Sequence, residues 1–71
     1  MKRLTISLKA ARVNANLSQD EVATAMNKSK TTINNWENGK TEIDLGNLKT
    51  LCSLYNVTID DIFFALLVYF K

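Results

Sequence analysis

The apolar residues of this chain recur at helical spacing and do not alternate as a half-buried strand would require. Leu4, Leu8, Ala11 and Ala15 form one stripe, Val22, Ala23 and Met26 a second, and Ile33 and Trp36 a third. Leu48, Leu51, Cys52 and Tyr55 make a fourth, and Ile59, Ile62 and Phe63 a fifth. Five such stripes predict an all-α fold of five short helices, near 5–15, 19–26, 30–37, 45–55 and 59–66.

Something must stop each helix, and proline is absent while Gly39 and Gly46 are the only glycines. Three tripeptides take that role: Asn16-Leu17-Ser18, Asn27-Lys28-Ser29 and Asn56-Val57-Thr58. In each, the Asn follows a helical stripe and tolerates the left-handed backbone that ends a helix, while the Ser or Thr caps the next one. Ser18 and Thr58 have acids three residues on, Glu21 and Asp61, as a capping box requires. Asp44 is placed to cap the fourth helix, and Asn38-Gly39 to end the third. The tripeptides also fit the N-glycosylation pattern. The N-terminal MKRLTISLKAAR has no apolar signal core, so a cytoplasmic protein is expected and the three sites are read as helix corners.

A length of 71 residues predicts a single domain over 1–71, of a size that buries only about 60% of its unfolded surface. With no histidine and one cysteine, disulfide frameworks and the usual zinc sites are excluded, and no metal is expected. The longest apolar run, residues 62–70, is about half of a membrane span, so no membrane partner is expected. No Gly-rich phosphate loop or metal cluster supports an enzyme, and no cofactor or small-molecule ligand is implied. The pairs Asp20-Glu21 and Asp60-Asp61 fall in first turns, where they favour the helix dipole. The net charge of +2 conceals an asymmetry. Residues 1–40 carry seven basic and three acidic residues (+4), and residues 41–71 two basic and four acidic (−2). A basic half on a small helical domain points to a polyanion.

The stretch 19–37 then reads as two helices of about eight residues joined by a three-residue turn, the pattern of a helix-turn-helix. Ala23 permits close approach at the crossing, and Val22, Ile33 and Trp36 can face the core. The opposite face of the second helix carries Lys30, Thr31, Asn34 and Asn35. A merely solvated face would more often hold Glu/Lys pairs than Thr-Thr and Asn-Asn, which are only fair helix formers. These side chains suit DNA bases: Lys donates to guanine, Asn pairs bidentately with adenine, and a Thr methyl meets thymine. Ser29, Asn38, Lys40 and Thr41 bracket the helix and are candidates to grip phosphates. Lys2 and Arg3 are candidates for an N-terminal arm.

The stretches LKAAR, NLSQDEVATAM, SKTTINNWENGKT and LKTLCSLYNVTIDDIF resemble the Cro/CI-type (xenobiotic-response-element-like) family of phage and bacterial DNA-binding domains, over roughly residues 4–64. The resemblance implies a lambda-repressor-like five-helix domain whose second motif helix enters the major groove of double-stranded DNA, dimers reading palindromic operators. It places Lys30, Thr31 and Asn35 at base-reading positions, with Asn34 a weaker candidate, and Gln19 at a phosphate-contacting position. It pairs Arg12 with Glu37 beneath the phosphate-binding surface, with Arg12 itself a candidate phosphate ligand. Asn16, Asn27 and Asn56 stand where the family usually has glycine. Lys28 replaces an apolar turn residue, its stem expected to cover the core while the ammonium reaches water or phosphate. Cys52 stands where Ala is usual.

The C-terminal tail, 64–71, is more apolar than a small monomer should expose. Phe64, Leu67, Val68, Tyr69 and Phe70 are candidate dimerisation residues of a homodimer, as helix or as a strand pairing across it; folding back onto the core is the alternative. The chain is thus expected to be a sequence-specific transcriptional regulator, a Cro-like repressor from a phage or bacterium. The rival is a protein-interaction module, an antitoxin or antirepressor, whose tail binds another protein.

Overall fold

The computed structural model describes residues 6–62. They form four complete helices: α1 (Leu8–Asn14), α2 (Gln19–Met26), α3 (Lys30–Glu37) and α4 (Leu45–Tyr55). Residues 59–62 begin a fifth, and no strand occurs among the described residues, so the fold is all-α. No described helix is long and apolar enough to cross a membrane. The tail residues Phe64, Leu67, Val68, Tyr69 and Phe70 lie outside the described residues, as do Lys2, Arg3, Leu4 and Phe63.

Each turn is closed by the same device. Asn16, Asn27 and Asn56 have φ of 60°, 56° and 56°, and Gly39 has φ of 70°. After each of them, the next backbone N–H reaches back to a carbonyl five residues earlier. Leu17 N donates to Arg12 O (3.2 Å), Lys28 N to Ala23 O (2.8 Å), Lys40 N to Asn35 O (2.9 Å) and Val57 N to Cys52 O (3.0 Å). These bonds satisfy carbonyls that a helix end leaves open. Asparagine carries the Cβ penalty of the left-handed geometry but tolerates it better than most residues, because a short polar side chain can interact with the backbone beside it.

The helix starts are equally regular. Ser18 accepts from Glu21 N while the Glu21 carboxylate accepts from Ser18 N, a complete capping box. Ser29 accepts from Thr32 N at 3.1 Å and Asp44 from Asn47 N at 3.3 Å. The Thr58 hydroxyl donates to the Asp61 carboxylate at 2.8 Å. The first helix corrects the expected 5–15: it opens at Leu8, because Ser7 is extended and takes the cap, accepting from Ala10 N. It closes at Asn14 because Asn16 is already left-handed.

The core comprises Leu8, Ala11, Val22, Ala23, Ile33, Leu48, Leu51, Cys52, Tyr55 and Ile62. α3 packs on both α2 and α1, and α4 packs on α1. Full burial of a side chain such as Ile33 contributes about 1.5–3 kcal/mol, and truncating it to Ala costs about 2–5 kcal/mol. Four expected core positions, Ala15, Met26, Trp36 and Ile59, are only partly buried and pack against this centre from its rim. Lys28 is exposed, in keeping with an ammonium that reaches water. Its backbone N–H closes the turn, and leaving the ammonium in water avoids the cost of desolvating a charge.

Candidate nucleic-acid interface

α3 is eight residues long, and Ile33 is its one buried residue. That anchor leaves Lys30 and Thr31 exposed on the first turn, with Asn34 and Asn35 half-buried a turn later. Lys28 and Ser29, before the helix, and Asn38, Lys40 and Thr41, after it, are also exposed. The polar surface therefore runs unbroken along α3 and over both of its ends.

A largely buried ion pair holds this surface from below. Arg12 Nε donates to Glu37 Oε2 at 2.6 Å and its NH2 donates to Oε1 at 3.2 Å, a two-point fork. The side chains are 11% and 4% exposed. The bond to Glu37 raises the Arg12 pKa above its ordinary value, against an opposing effect of burial. Arg12 also clamps the first corner: its NH1 donates to Leu17 O at 2.9 Å while its own carbonyl accepts from Leu17 N. The end of α3 is thereby tied to the α1–α2 corner.

From Glu37 the bonding continues outward. Gln19 Nε2 donates to Glu37 Oε1 at 2.9 Å and to Asn34 Oδ1 at 3.3 Å. Asn38 Nδ2 donates to the same Asn34 oxygen at 3.1 Å. Among the described residues the chain Arg12–Glu37–Gln19–Asn34–Asn38 thus links three helices and surfaces on the polar face. Of the residues singled out from the sequence, it gathers five of the candidates for DNA contact or ion pairing. Ser29 stands apart, its hydroxyl engaged with Thr32 N and Thr32 Oγ1. The side chains of Thr31, Asn35, Lys40 and Thr41 make no bond to any described residue, so their polar groups face solvent unengaged.

Sequence reasoning missed two features. Asn34 is the junction of the polar chain, which its spacing of four from Asn38 hints at but its contact with Gln19 does not. Lys30 Nζ lies 3.9 Å from Asp20 Oδ2 across the two motif helices, with side chains 60% and 74% exposed. An exposed pair of this kind contributes about 0–1 kcal/mol and leaves Lys30 free to turn to another anion. Lys28, whose ammonium is expected at water or phosphate, is exposed beside Ser29 near the start of α3. Among the described residues no group of acidic, histidine or cysteine side chains could hold a metal ion.

A short helix seated on α2 through one buried residue, with a cationic amide- and hydroxyl-bearing outer face, defines the helix-turn-helix class of DNA-binding proteins. The chain belongs to the Cro/CI-type helix-turn-helix family, whose model matches residues 8–62. It is similar to the HTH-type transcriptional activator BcrR of Enterococcus faecalis, with 34% identity over 55 residues. That match covers 78% of this chain and 27% of BcrR, so the chain spans little more than a quarter of that relative's length. No solved structure gives a significant match. The residues 8–62 that the family model matches include both motif helices and the polar face of α3.

Proposed function

We propose that this chain is a transcription regulator, a cytoplasmic repressor that binds a palindromic operator as a homodimer, laying one α3 in the major groove of each half-site. The observation that carries the reading is the exposed polar face of α3, anchored by Ile33 and tied at its far end by Arg12 and Glu37. Thr31 and Asn35, whose side chains are unengaged, read bases together with Lys30, and Asn34 stands beside them. Lys40 and Thr41 hold phosphates past the end of α3, with Ser29 and Asn38 flanking the helix. Gln19 has both amide hydrogens engaged inside the protein, so its part in phosphate binding falls to its backbone N–H at the start of α2. Arg12 acts mainly by fixing α3.

Dimerisation is assigned to the apolar tail, through Phe64, Leu67, Val68, Tyr69 and Phe70, because a surface of that composition needs a cover. The direction of regulation depends on where the operator lies relative to the promoter, and BcrR is named as an activator. The test has two parts. Binding to random DNA across a salt series must fall steeply with salt if the α3 face meets phosphates. Selection from a random DNA pool must then yield a palindrome, and binding to half of it must weaken sharply. Salt-independent binding, or a selected site without two-fold symmetry, overturns the reading.

A further inference from the structure

The polar chain that begins at Arg12 has a direction, and that direction reaches the DNA-facing surface. Glu37 is a carboxylate and can only accept hydrogen bonds when ionised. The Gln19 atom that faces it must therefore be the amide nitrogen, found 2.9 Å from Glu37 Oε1. The second hydrogen of that nitrogen points at Asn34, so the facing Asn34 atom must be the oxygen, at 3.3 Å. Asn38 lies 3.1 Å from the same oxygen and must present its nitrogen there. A change of orientation at any one amide would set like against like somewhere along the chain. The ion pair thus dictates which way a half-buried side chain on the polar face of α3 points.

An amide oxygen has two lone pairs, and both of Asn34's are engaged by Gln19 and Asn38. What Asn34 has left is its two N–H donors. Reading adenine requires an amide to accept from N6 while donating to N7, and Asn34 cannot do the first. Asn35, with neither edge engaged, can do both. We propose that Asn34 is a donor-only DNA-contact residue, set by the Arg12–Glu37–Gln19 relay to meet a hydrogen-bond acceptor and to refuse adenine pairing. The acceptor is either the O6/N7 edge of guanine or a phosphate oxygen. The two adjacent asparagines of α3, chemically identical, therefore make different contacts. Gln19 is a positioning residue in this scheme, acting on DNA contact through Asn34.

This inference rests on α3 being the DNA-facing helix, and the test separates the two. The wild-type protein, Asn34→Ala, Asn35→Ala and Gln19→Leu are profiled base by base against the selected operator at two salt concentrations, with a thermal melt of each to confirm folding. Loss of salt-dependent binding by the wild type itself would remove the DNA reading and leave nothing to profile. Given wild-type binding, Asn34→Ala is expected to weaken it about tenfold or more. Loss of preference at a guanine identifies the base edge. A uniform loss with an unchanged salt slope identifies phosphate, because a neutral amide releases no counterion. Gln19→Leu is expected to move the same readout as Asn34→Ala, and Asn35→Ala a different one. Relaxation of an adenine preference in Asn34→Ala, unchanged binding in that variant, or a Gln19→Leu profile that matches wild type overturns the proposal.

Discussion

Arg12 and Glu37 meet across 25 residues of chain, Nε 2.6 Å from Oε2, and this bond ties α1 to the last turn of α3. Removing one partner strands the other. In Arg12→Met the Glu37 carboxylate keeps, among the described residues, only the Gln19 amide as a partner in a nearly solvent-free position, at an expected cost of about 3–5 kcal/mol. Replacing both, Arg12→Met with Glu37→Leu, should recover most of that loss, since buried pairs contribute little net stability over apolar residues of similar size. DNA affinity should not recover, because Gln19 loses the acceptor that orients it. Urea midpoints and DNA titrations of the single and double variants check both halves. A double variant that binds like wild type would mean that the pair has no role in presenting α3.

The corner at Asn27 can be tested through backbone geometry alone, because its side chain is exposed and its φ is 56°. Asn27→Gly should be neutral or slightly stabilising, since glycine has no Cβ penalty there. Asn27→Val should cost about 1–2 kcal/mol, as β-branching is worst in the left-handed region. Equal melting temperatures for the two variants would refute the corner.

These examples show what the sequence makes legible. Asn27 can be read as a corner because its conformation follows from its own chemistry and from Ser29 two residues on. The same holds for the cap at Ser18 and for the periodic core positions. Arg12 and Glu37 can be paired only through the family resemblance, since nothing local relates residues 25 apart. The links from Gln19 to Asn34 and from Asp20 to Lys30 are not legible, because each depends on the angle at which α2 and α3 cross. The start of α1 departs from its periodicity for a local reason, since Ser7 lies inside an otherwise helical stripe and caps it. Trp36 sits less deeply than its stripe implies, because spacing shows which face a residue occupies but not how far the core extends beneath it.

Lys40 and Asn35 should separate affinity from specificity. Lys40→Ala removes a cation just past α3 and should weaken binding to all DNA sequences alike. It should lower the salt slope by about one for each phosphate left without its cation, or about two for a symmetric dimer. Asn35→Ala should cost about 1–3 kcal/mol on the best operator and relax preference at one base pair per half-site, leaving the slope unchanged. Binding profiles at two salt concentrations distinguish these results. Should Asn35→Ala weaken every sequence equally, Asn35 does not read a base.

Tyr55 offers a test that involves no DNA. Its ring belongs to the core, and its buried hydroxyl has no hydrogen-bond partner among the described residues. Burial pushes the phenol from 10 up to about 12, the Glu37 charge adds to the rise, and Arg12 opposes it. A buried polar atom without a partner is a cost, so Tyr55→Phe should leave stability unchanged or raise it, by at most about 3 kcal/mol. The sign of the pH dependence follows from the same shift. At neutral pH the phenol is protonated in both states and the fold loses nothing. Above pH 10 the unfolded chain releases the proton while the folded one retains it until about pH 12, so stability falls as pH rises through that window. Tyr55→Phe should lose less stability over the same range. Chemical denaturation of both proteins between pH 10 and 12 checks this. Parallel loss in the two would show that the alkaline limb belongs to other groups, and a clearly less stable Tyr55→Phe at neutral pH would show that the hydroxyl has a partner after all.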